Sequence, residues 1–155
     1  PRVEVLVVDS LESVLTVPEK APDDETESIT YQTAFSPPGD LFAVRSAFDE
    51  TLLVHDLTEE KQIHELDAPG IAFGLTFTHG DDRLVLGRAS GGTLSGGSQW
   101  DVTTGEELTS GNTLLYEEPT LHPQEETLVV ADTSTTSSTL LFLDPETLQE
   151  THEIG

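Results

Sequence analysis

Residues 35–66 read FSPPGDLFAVRSAFDETLLVHDLTEEKQIHEL, and their pattern decides the fold. Phe35 leads into the turn of residues 36–40, where proline fixes φ and Gly39 supplies the permissive position. Residues 41–46 form one apolar strand. Residues 51–56 form a second, closing on Val54-His55-Asp56. A tight acidic turn follows, then a last strand over residues 62–66. With residues 29–35 in front of the first turn, this is a unit of four short strands.

The same phrase recurs on both sides. Downstream, residues 72–77 form strand one, 78–82 the turn and 83–88 strand two. Strand three ends at Trp100-Asp101, and residues 106–109 form a short strand four. A third copy places strand one at 118–121, the turn at 122–126 and strand two at 127–132. Its strand three covers 139–144 and its strand four 148–154. Upstream, residues 3–8 and 13–17 resemble strands three and four alone. Residues 18–28 are an acid-rich connector with two prolines and no apolar period.

Subtraction gives the period. The aspartates closing strand three are Asp9, Asp56, Asp101 and Asp144, at steps of 47, 45 and 43 residues. The apolar residues before the first turn are Phe35, Phe77 and Leu121, at steps of 42 and 44. Both landmarks point near 44, within the ~40–45 residues of a four-stranded propeller blade. No segment holds a 3.6-residue apolar pattern, which excludes helical repeats. The runs Leu6-Val7-Val8, Leu84-Val85-Leu86 and Leu128-Val129-Val130 are continuously apolar, as strands buried on both faces are.

These residues predict an all-β chain of β-propeller blades: about three complete four-stranded blades plus a leading half-blade. Residues 1–28 are the half-blade and acidic connector, and 29–70, 71–113 and 114–155 are the blades of one partial propeller over 1–155. Two leading strands and three sets of four make fourteen. Opening on strands three and four and ending after a strand four, the chain is expected to be a fragment of a larger propeller with further blades upstream.

The motifs resemble the WD-repeat β-propeller family. They are Phe35-Ser36-Pro37-Pro38-Gly39-Asp40, Val54-His55-Asp56-Leu57, and Trp100-Asp101-Val102-Thr103-Thr104-Gly105-Glu106. The last contains the Trp-Asp dipeptide and the polar turn usual after it. The Gly-His pair that precedes strand one in that family is missing from all three copies. The third copy, with Leu143-Asp144-Pro145-Glu146-Thr147, is also similar to lactonase-like and quinoprotein-like propellers. The WD resemblance implies a scaffold that presents loops to a protein partner. The other implies an enzyme with a site in its central channel, drawn from Tyr31, Gln32, Thr76 and Glu118. A third reading is an accessory sensory propeller of a multidomain protein.

Charge narrows the partners. Thirty acidic residues face six basic ones, for a formal charge of -24, and Lys20 and Lys61 are the only lysines. Such a charge disfavours general binding to nucleic acid or to an anionic membrane. Acid dispersed along a chain with so little Lys suits solubility in high salt, where screening mutes self-repulsion. The composition resembles that of halophilic archaeal proteins. Cys is absent, which removes disulfides, thiolate metal sites and a cysteine nucleophile and fits a cytoplasmic setting.

No catalytic, cofactor-binding or metal-binding residue is assigned. The recurring aspartates could form a ring of cation ligands, but the position favours capping of the tight turn by the carboxylate. His55, His64, His79, His122 and His152 lack metal-ligand spacing. His79 and His122 occupy equivalent turns, and His55 stands where Trp100 and Leu143 stand. Residues 87–97 hold five glycines without a phosphate-loop pattern and read as a flexible loop. No G-x-S-x-G elbow occurs. The expectation is a non-catalytic scaffold without a cofactor.

Overall fold

Short apolar runs punctuated by Pro, Gly and Asp favour strands joined by tight turns, and the chain folds accordingly. The computed structural model describes residues 2–7, 10, 12–18, 30–46, 50–78, 82–90, 93–110, 119–122, 127–132 and 139–155. Among them every regular element is a strand. Strands β1 (Arg2–Leu6) and β2 (Ser13–Pro18) form a first, two-stranded sheet. The second sheet holds β3 (Tyr31–Phe35), β4 (Leu41–Ser46), β5 (Thr51–Asp56) and β6 (Lys61–Asp67). The third holds β7 (Ile71–Phe77), β8 (Arg83–Ser90), β9 (Thr93–Asp101) and β10 (Glu107–Ser110). The fourth holds β11 (Thr120–Leu121), β12 (Leu128–Asp132), β13 (Thr139–Leu143) and β14 (Glu150–Ile154). Each sheet is an antiparallel meander in sequence order, so every pairing is local.

The sheets stack in chain order because successive side chains on a strand point to opposite faces. On β4, Phe42 and Val44 pack with Val5 and Val17 in the first seam. Ala43, between them, packs in the second seam with Leu84, Leu86 and Trp100 of the third sheet. On β8 the next residue over, Val85, turns the other way and meets Leu128, Val130 and Leu143 in the third seam. Phe42, Leu84 and Leu128 are thus equivalent and face the preceding sheet; Ala43 and Val85 face the following one. The leading strands β3, β7 and β11 lie beside one another.

Leu84, Val85 and Leu86 are all fully buried, as a strand packed on both faces requires. The first sheet departs from that expectation. Leu6 and Val7, where β1 ends, are 46% and 43% exposed. Val8 and Asp9 lie outside the described residues.

The glycine-rich stretch is a second correction. It is strand rather than flexible loop over its described part: β8 continues to Ser90 and β9 begins at Thr93. Gly74, Gly87 and Gly97 pair across β7, β8 and β9 in one row, and all three are buried. A row without side chains leaves a trough that permits close packing, and Gly96, at φ 92°, lies at the irregular step in the β8–β9 register. Glycine content alone reads as loop; pairing in register makes it sheet. Smaller differences lie at the ends. β1 stops at Leu6, β3 starts at Tyr31 and β11 is only Thr120–Leu121, while Ile29 and Glu118 lie outside the described residues. Of the acid-rich connector, only Pro18 is described.

One link between sheets is clamped. Arg45 on β4 is 1% exposed, and its guanidinium Nη2 donates to the Ala68 carbonyl oxygen at 2.6 Å and to that of Gly70. Residues 68–70 carry the chain from β6 to β7, hence from the second sheet to the third.

Candidate functional site

The recurring aspartates fall where the sequence places them, in the turns leaving β5, β9 and β13. The Asp56 carboxylate accepts the amides of Thr58 and Glu59, both at 2.8 Å. That of Asp101 accepts the Thr104 amide at 2.7 Å and hydroxyl at 3.0 Å. That of Asp144 accepts the amides of Glu146 and Thr147, both at 2.9 Å, and the Thr147 hydroxyl at 3.1 Å. Amide donation favours the ionised carboxylate. The Thr104 amide, then its hydroxyl, hold Asp101 below the usual carboxylate range, and the Thr147 amide does the same for Asp144. Arg83, at the start of β8, adds a smaller favourable field at both.

The fourth residue after each aspartate has positive φ: 52° at Glu60, 75° at Gly105 and 55° at Leu148. The three turns therefore share one backbone shape that only Gly105 adopts without steric cost. A methyl group on Gly105 would lie 2.8 Å from Nδ1 of His64. Each carboxylate serves its own loop. Among the described residues no three His, Asp or Glu side chains converge as metal ligands.

The other candidates are dispersed. Tyr31 packs in the first seam, whereas Thr76 pairs with Val85 on the face toward the fourth sheet, and its hydroxyl donates to the Phe77 carbonyl at 3.3 Å. Gln32 follows Tyr31 on β3 and so takes the opposite face. Glu118 and His79 lie outside the described residues. His122 donates its backbone N–H to the Thr127 carbonyl at 2.9 Å, in the turn between β11 and β12. His152 lies against Phe142 with ring centroids 5.7 Å apart.

Ser98, Gln99 and His55 are buried polar residues whose hydrogen bonding is incomplete among the described residues. Among the described residues the Ser98 hydroxyl has no hydrogen-bond partner, and neither has Oε1 of Gln99, whose Nε2 donates to the Pro145 carbonyl across the third seam. His55 is 6% exposed, and neither ring nitrogen has a partner among the described residues. Burial lowers its pKa from the ordinary 6.5, since desolvation disfavours imidazolium. The folded state thus holds the neutral ring more strongly than the unfolded chain does. The stability this gives is complete above pH 6.5 and is lost as pH falls below that value toward the folded pKa. Denaturant midpoints should therefore fall on acidification from pH 7, and His55→Leu should reduce that fall. Leucine suits the site because Leu143 holds the equivalent position.

An open groove of about 480 Å³ lies where the second and third sheets meet at the aspartate-turn end. Leu41, Ile63, His64 and Val102 line it, with Lys61 and Gln62 at its rim. The Lys61 ammonium is paired with Glu59, whose hydrogen bond and charge raise its pKa. Thr103 completes its lining.

Meander sheets stacked face to face in chain order define a β-propeller-like all-β protein. Among solved structures the chain is similar to Kuenenia stuttgartiensis hydrazine synthase, with a TM-score of 0.73 and 14% sequence identity. The match covers 98% of this chain and 42% of that one. At such identity the likeness carries the fold alone. No family model matches the chain, and no curated protein matches it.

Proposed function

We propose that the chain is a non-catalytic, WD-repeat-like propeller scaffold for protein–protein interaction, from a halophile. Its sheets are read as three four-stranded blades preceded by a half-blade. One observation carries this reading: the residue that recurs most regularly, the aspartate after strand three, closes the same turn in three successive sheets. Its carboxylate is engaged by the amides of its own loop at Asp56, Asp101 and Asp144. Recurrence at these positions serves architecture, which leaves the loops between strands to vary and to meet a partner.

Two measurements on one preparation test it. Metal analysis and a lactone hydrolysis assay should give no stoichiometric metal and no turnover above buffer; bound metal together with turnover would sink the scaffold reading. Circular dichroism over a salt series should show folding strengthened by molar salt. Full folding in dilute buffer with no gain from salt overturns the halophile part.

A further inference from the structure

The second seam comes to the surface at the aspartate-turn end, in the groove of about 480 Å³. Leu41 and Ile63 of the second sheet and Val102 of the third give it an apolar floor. Val102 is buried, and Leu41 and Ile63 are half-buried against the same cluster. A bulge on β6 makes room for this. Val54 pairs with His64 and His55 with Gln62, so Ile63 is the extra residue between them. Across the groove the turn after β9 carries no side chain at Gly105, and the His64 ring lies against it. Both walls therefore belong to the two sheets that meet here.

The surroundings are negative. Asp56 pairs with Leu41 and Glu107 with Trp100, so both carboxylates stand on the strand faces that form the second seam. Asp82, whose carbonyl oxygen accepts the Val102 amide at 2.8 Å, is exposed beside them. Among the described residues Lys61 is the only lysine, and Glu59 already pairs it. Arg83 precedes Leu84 and so takes the other face, toward the fourth sheet. A small molecule needs most of its surface enclosed; an open groove suits a length of chain that keeps one side in water.

We infer that this groove binds an extended segment of a partner protein in which an apolar side chain is flanked by arginine or lysine. The inference rests on the scaffold reading above and gives the chemistry of its partner. The apolar side chain covers Leu41, Ile63 and Val102, and the flanking cations meet Asp56, Asp82 and Glu107. Opposite charge speeds the encounter, and apolar burial holds the segment. In molar salt the charges reach only roughly 3 Å, and the apolar contact carries most of the binding.

Fluorescence anisotropy tests this with a labelled synthetic peptide that has two central leucines between pairs of arginines, in glycine–serine flanks. The peptide should bind the 155-residue chain in dilute and in molar KCl, more weakly in the second. Alanine in place of its leucines should weaken binding about tenfold or more. Thr103→Lys, at an exposed position in the lining, should weaken it about tenfold, and Lys61→Glu should strengthen it about threefold. Glu153→Lys, at an exposed position on β14, should change it less than about twofold. Circular dichroism establishes that each variant is folded. No binding at about 1 mM peptide overturns the inference, as does an alanine peptide that binds as tightly. So does a Thr103→Lys variant with unchanged affinity, or a Glu153→Lys variant that loses as much. Complete displacement by an equal concentration of spermine, a cation without an apolar side chain, also overturns it. Metal content and turnover on the same preparation judge the scaffold reading separately.

Discussion

Replacing Arg45 by methionine should cost about 3 kcal/mol of stability, read as a lower denaturant midpoint at constant m-value in molar salt. Methionine keeps the apolar stem and fills much of the volume, so packing is largely preserved. What goes is the guanidinium that serves the Ala68 and Gly70 carbonyls. Ala68 is fully buried, so its carbonyl would be left in a dry seam with its hydrogen bond broken. Arg45→Lys should fall between the two. An ammonium can reach one carbonyl but lacks the planar fork that spans both. If Arg45→Met unfolds at the wild-type midpoint, the link between the second and third sheets is held by other contacts and the clamp is not needed.

Trp100→Ala should cost more, about 3–5 kcal/mol. Trp100 is 2% exposed and sits in the second seam with Leu52, Val54, Leu84 and Leu86. Truncation opens a cavity in the largest apolar cluster among the described residues, and the close-packed strands around it cannot fully close in. Against the 5–15 kcal/mol typical of a whole domain, that loss should abolish cooperative folding in dilute buffer. Trp100→Phe retains an aromatic ring and should cost roughly half as much or less. Trp100 is the only tryptophan, so far-ultraviolet circular dichroism is the readout common to all three proteins. Equal midpoints for alanine and phenylalanine would show that the seam does not depend on filling this volume.

Much of the fold is legible in the sequence because both its signals are local. Turns such as Ser36–Asp40 depend on nearby residues: the Ser36 hydroxyl donates to the Asp40 carboxylate at 2.8 Å and accepts the Leu41 amide at 3.0 Å. The third-strand aspartates likewise bond within four residues. Strand pairing follows because each strand meets its neighbour in sequence. What stayed hidden is long-range. Arg45 reads as a polar break after an apolar run, and nothing near it announces carbonyls 23 and 25 residues away. Gln99 is tied to Pro145, 46 residues on. His55 stands where Trp100 and Leu143 stand, but no local signal shows that both its nitrogens lack partners among the described residues. The glycine row failed for a related reason, since only pairing reveals that Gly74, Gly87 and Gly97 stand abreast.

The three seams also set how the chain gives way under load. They lie in series, and among the described residues their buried apolar sets are unequal: four residues in the first, twelve in the second and five in the third. A pull applied at residues 1 and 155 reaches the outer layers before the middle pair. The force record should show small early rips as the two-stranded layer and the last meander peel away, then one larger event when the Trp100 cluster parts. The chain is in this sense a graded fuse, with its strongest link at the centre.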